Sequence, residues 1–132
     1  MRVLTYSHDS FGLGHLRRTF AISRQIATNY PQSNVLSLIG LPMGQVYFDM
    51  ESRNHDYMKL PAIQKTDGGE YVARHLGLST AEITSIRSEM VGAALRSFSP
   101  ELIMVDKTPR GVGDELVAGL EEYRRQHPDA RI

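Results

Sequence analysis

Residues 2–39 constrain what this chain can fold into more than any other stretch. A short apolar run, Val3-Leu4-Thr5-Tyr6, leads into a glycine-containing loop and then a helical pattern from about Gly14 to Tyr30. Pro31 and the polar Gln32-Ser33-Asn34 end that helix, and Val35-Leu36-Ser37-Leu38-Ile39 follows as a continuous β-prone run closed by Gly40. A run without alternation is expected of a strand covered on both faces. Strand, helix and strand with short connections make a βαβ unit, whose crossover is almost always right-handed. Leu16, Phe20, Ile22, Ile26, Ala27 and Tyr30 supply the expected apolar face of its helix.

The rest of the chain continues the alternation. Gln45 to Met50 is expected as a short helix and Asp56–Leu60 as a third strand, with a long loop from Ala62 to Gly77 turning at Asp67-Gly68-Gly69. A loop of that length in a compact domain is usually functional or disordered. Ser79-Thr80-Ala81-Glu82 spells a capping box, with Ile83, Ile86, Met90, Ala94 and Phe98 on one face of the helix behind it. Leu102–Val105 reads as a fourth strand ended by Asp106, and Gly113–Gln126 as a last helix with Leu116, Val117 and Leu120 as its contacts. The order β-α-β-β-α-β-α argues for an α/β fold: a Rossmann-like, doubly wound, mostly parallel sheet. At 132 residues the chain is expected to be one domain, residues 1–132, with an ordinary core.

In such sheets ligands gather at the carboxyl ends of the strands, near the topological switch point. Three of those ends carry polar chemistry: Ser7 to His15, Leu60 to Tyr71, and Asp106-Lys107-Thr108. The first is the densest, with His8, Asp9, Ser10, Gly12, Gly14, His15, Arg17 and Arg18 between a strand and a helix start. Free backbone N–H groups and the positive helix end favour an anion there. Gly12 and Gly14 are expected to permit positive φ and a close approach of ligand to backbone.

The glycine pattern excludes some ligands. Arg17 stands where a dinucleotide fingerprint has its third glycine, and Gly40 where it has its ribose-binding acid. No Lys-Ser or Lys-Thr follows the glycines, so a phosphate-binding Walker loop is excluded as well. His15, at the helix start, is either a proton acceptor or a capping histidine, and His8 competes for the first role. Arg17 and Arg18 oppose the helix dipole, which favours an anion that balances them. Asp106 either caps the next turn or holds a histidine's second ring nitrogen, as the acid of a triad does.

Composition narrows the partners. Fifteen basic and fifteen acidic residues cancel, which disfavours nucleic-acid binding by bulk charge. There is no cysteine, and the five histidines lack metal-ligand spacing, so no metal is expected. No run reaches the ~18 apolar residues of a membrane span, and the chain reads as soluble and cytoplasmic. Its end, His127-Pro128-Asp129-Ala130-Arg131-Ile132, comes where a new strand is expected, which suggests a truncation.

The run from His8 to Arg18 resembles the opening motif of a group of predicted bacterial glycosyltransferases of the GT-B fold, distantly related to the peptidoglycan N-acetylglucosaminyltransferase (MurG-like) family. The resemblance extends to Lys65-Thr66, Gly69-Glu70-Tyr71, Leu76-Gly77-Leu78-Ser79 and Pro100 to Asp106. It implies the acceptor-side, amino-terminal half of a two-domain enzyme, without the carboxy-terminal donor-binding domain, so that the fragment alone would be inactive and could self-associate. It implies a nucleotide-diphosphate sugar as donor, an unknown acceptor hydroxyl and no further cofactor. By motif position His15 would be the general base and, by location, Asp106 its supporting acid. His8, Ser10, Gly12, Gly14, Arg17 and Arg18 would contact substrate. The rival reading is a stand-alone α/β module that binds a small anion or a partner protein without chemistry.

Overall fold

The computed structural model describes residues 1–8, 14–41 and 54–132. The helix expected at 45–50 lies outside these, as do Asp9, Ser10 and Gly12. Four strands form one parallel sheet: β1 (Arg2–Ser7), β2 (Asn34–Ile39), β3 (His55–Lys59) and β6 (Leu102–Val105), in the order β3-β2-β1-β6. Helix α1 (Gly14–Asn29) packs on one face of it. On the other face lie α2 (Thr80–Phe98) and α3 (Val117–Gln126). This is the mostly parallel, doubly wound α/β arrangement expected of the alternation.

The two faces differ in chemistry because side chains alternate along each strand. Leu4, Tyr6, Leu38 and Ile103 meet Val91, Ala94 and Leu95 of α2, together with Leu116 and Tyr123, in the main core. On the α1 face, Leu16, Phe20, Ile39 and Leu41 form a smaller apolar cluster. Beside it, Thr5 and Ser37 present hydroxyls, 2.8 Å apart, to Ser23 of α1. That polar seam explains a departure from the expected helix face. Leu16, Thr19, Phe20 and Ser23 are the buried residues of α1, whereas Ile22 and Tyr30 are exposed.

Three further expectations need correction. The segment read as a loop from Ala62 contains a hairpin, β4 (Ile63–Lys65) with β5 (Tyr71–Ala73), antiparallel and turned at Gly69 with φ 87°. Three-residue strands are too short to show a period. The capping box of α2 is present, with Ser79 Oγ accepting from the Glu82 N–H and Ser79 N–H donating to Glu82. Its buried stripe, however, runs Ile83, Arg87, Val91 and Leu95, and Ile86 is exposed. The last helix starts at Val117 rather than Gly113, because Gly111, Gly113 and Asp114 all have positive φ (73°, 58° and 62°). A right-handed helix cannot run through them. A Cβ on Gly111 would also stand 2.7 Å from Leu116 Cγ.

Candidate functional site

Sheet order builds the site. β1 and β6 are parallel neighbours in register, Tyr6 beside Val105, so the residues that follow them emerge at the same edge. The Asp106 N–H extends the ladder by donating to Tyr6 O at 3.0 Å. On the β1 side His8 follows the strand, and the first turn of α1 carries His15. Two residues 91 positions apart thereby meet. His15 Nδ1 lies 2.8 Å from Asp106 Oδ2. Arg18, one turn along α1, donates to the other carboxylate oxygen, Oδ1.

The geometry has a chemical consequence. Arg18 Nη2, a donor, stands 3.2 Å from Nδ1, but the acceptor-only carboxylate is closer at 2.8 Å and favours the tautomer with the proton on that nitrogen, leaving the lone pair on Nε2. Asp106 is mostly buried, at 13% side-chain exposure, while His15 keeps 27%. The pair is therefore sheltered on the acid side and accessible on the imidazole side. His8 is buried, with its ring centroid 5.5 Å from that of His15. Gly14 opens α1 with an ordinary φ, and a Cβ there would meet no other side chain of the described residues within 4 Å, which leaves room for a close approach. Arg18 has an internal counter-charge in Asp106, so its place in the first turn needs no external anion to balance it. Arg17 is exposed on the same turn. A cavity of about 90 Å³ adjoins the pair, bordered by Thr5, Arg18, Ile22, Met104 and Asp106. A larger one, about 660 Å³, lies at the opposite, amino-terminal ends of β1 and β6 and is remote from this chemistry.

A second polar cluster lies below the same edge. Arg87 is fully buried in α2 and makes two bonds to Glu115, from Nε at 2.5 Å and Nη2 at 2.7 Å. Its Nη1 donates to Pro61 O at 2.6 Å, and the Tyr6 hydroxyl donates to Glu115. Burial, then the Glu115 charge, push the Tyr6 phenol far above its ordinary range. Burial opposes the charge on Arg87, but its bonds to Glu115 more than offset that and raise its pKa. Burial and the Arg87 charge lower the Lys59 ammonium. The sequence signal that could have found the cluster is Arg87 itself, four residues from Ile83 and from Val91 on a buried stripe.

Among the described residues no group of three or more His, Asp or Glu is placed to hold a metal ion. No helix among them is long and apolar enough to cross a membrane.

No protein-family model matches the chain, and no curated protein matches it. Among solved structures it is similar to the crystal structure of a UGT transferase from Siraitia grosvenorii in complex with UDP. The TM-score is 0.60 at 14% identity, over 98% of this chain. The chain spans 26% of that structure's length. The likeness is one of fold, and gives the chain a glycosyltransferase-like α/β architecture.

Proposed function

We propose that the chain is the acceptor-side domain of a glycosyltransferase that uses a nucleotide-diphosphate sugar, with a donor-binding domain supplied outside these residues. The observation that carries the reading is the His15–Asp106 pair at the carboxyl edge, between β1 and β6. The glycosyltransferase-like fold and the UDP complex of the similar structure support it.

In this reading His15 Nε2 takes the proton of the acceptor hydroxyl as its oxygen attacks the anomeric carbon. The bond from that carbon to the diphosphate breaks, and the nucleoside diphosphate leaves with the electron pair. Asp106 holds the Nδ1 proton and stabilises the imidazolium that forms. The first-turn N–H groups of α1, from Gly14 on, face the charge that develops on the diphosphate.

General-base help of this kind is worth about 10²–10⁴-fold in rate. His15→Ala in the full-length protein should therefore cut nucleoside diphosphate release by about that factor while leaving donor affinity near its original value. An unchanged rate removes His15 from the chemistry. Nucleotide titration by NMR separates the binding-module reading: without resonance shifts around Gly14–Arg18, the chain does not contribute to a nucleotide-sugar cleft.

A further inference from the structure

Three non-glycine residues have positive φ among the described residues, and two of them have evident reasons. Ser99 is the left-handed cap of α2. Asp114 belongs to a residue type that tolerates this region, and it pairs with Arg110. Lys107, with φ 67°, has neither explanation. It is neither glycine nor a short polar residue, and it ends no helix.

Its neighbours show what the conformation achieves. Thr108 N–H donates to Asp106 O at 2.8 Å, a bond from residue i+2 back to residue i. With the central φ positive, this is the rare and strained form of γ-turn. Both backbone polar groups of Asp106 are then held, the N–H by Tyr6 of β1 and the C=O by Thr108. That fixes the direction in which its side chain leaves the sheet edge, toward His15 and Arg18. The far end of the same loop is anchored by Glu115 in the buried Arg87 cluster. Strained backbone persists where the surroundings over-determine it.

We infer that Lys107 is a positioning residue, whose left-handed γ-turn aims the Asp106 carboxylate at His15 Nδ1. Its value to catalysis rests on His15 acting as proposed above, but the geometry is testable without turnover.

The test compares the His15 tautomer by nitrogen-detected imidazole NMR, at a pH where the ring is neutral, in the unmodified full chain and three variants. Lys107→Gly and Lys107→Asn tolerate positive φ, whereas Lys107→Val strongly resists it. The Nδ1–H form should dominate in the unmodified chain and in the Gly and Asn variants. It should become the minor form in Lys107→Val, as in Asp106→Asn. A Val variant that keeps the Nδ1–H form, or an equal loss in all three variants, overturns the inference; the second outcome would assign the effect to the ammonium group. Should Lys107→Val fail to fold, the intraresidue amide-to-Hα NOE of Lys107 in the unmodified chain decides: a strong one supports the left-handed turn and a weak one refutes it. Turnover unaffected by His15→Ala would sink the catalytic reading alone, leaving these tautomer results intact.

Discussion

Acid should weaken this fold through one identifiable side chain, His55. The residue is 7% exposed at the start of β3, with Nε2 2.8 Å from Ser37 Oγ and the Phe20 ring 5.3 Å away, centroid to centroid. Burial lowers its pKa from 6.5 to about 4, against a small upward pull from Asp56. Protonation need not break the Ser37 contact, since a hydroxyl can accept as well as donate. What costs free energy is the buried charge. The unfolded chain takes up a proton near pH 6.5 that the folded chain refuses until about pH 4, so the His55 contribution is complete above 6.5 and is lost as pH falls between them. At about 1.4 kcal/mol per pH unit the full loss is about 3 kcal/mol, of which about 2 kcal/mol is gone at pH 5. Urea unfolding from about pH 7.5 down to 5, in the parent chain and in His55→Gln, isolates the effect, because other titrating groups cancel in the difference. The two stability curves should converge by about 2 kcal/mol over that range. Parallel curves would refute the reasoning, and so would a His55 ring signal that titrates near 6.5.

Two other perturbations test the packing and the proposed ligand contact. Arg87→Met leaves Glu115 buried beside Tyr6 without its cation and should cost about 3–5 kcal/mol in urea unfolding, while adding Glu115→Leu should restore part of the loss; a single-variant cost below about 1 kcal/mol would mean that Glu115 is not held as a buried ion. Gly14→Ala adds a methyl that meets no other side chain of the described residues and should stabilise α1 by about 0.5 kcal/mol in thermal melts. In the proposed reading the same change weakens nucleotide-sugar binding measured by calorimetry, and unchanged affinity would move the diphosphate away from this backbone.

Element identity was readable where one local rule dominated. The unbroken Val35–Ile39 run, the Ser79–Glu82 box and the Leu102–Val105 run each reflect interactions within a few residues, and each became the expected element. The errors have tertiary causes. Ser23 is buried although polar, because Thr5 and Ser37 on distant strands offer hydroxyl partners. Arg87 is buried because its carboxylate lies 28 residues downstream. Ile86 then turns outward. The proximity of His15 and Asp106 follows from β1 lying beside β6, which parallel topology makes plausible and only the sheet order establishes. The left-handed turn at Lys107 had no local signature at all, since nothing in Asp106-Lys107-Thr108 favours positive φ.

The position of β1 between β2 and β6 also bears on how the chain comes into being. β1 finds its first partner about 32 residues later, through the local β1-α1-β2 unit, but its other edge waits for Leu102 to Val105. At roughly 5–20 residues per second of synthesis, that edge stays unpaired for about 5–20 s after Val3 is made. A strand reading Val-Leu-Thr-Tyr with open N–H and C=O groups is an aggregation template for that time. Long-range parallel pairing is slow to form, and the His15–Asp106 contact can close only after it. The His15–Asp106 contact is thus a late product of folding, and any intermediate that stops short of docking β6 lacks it altogether.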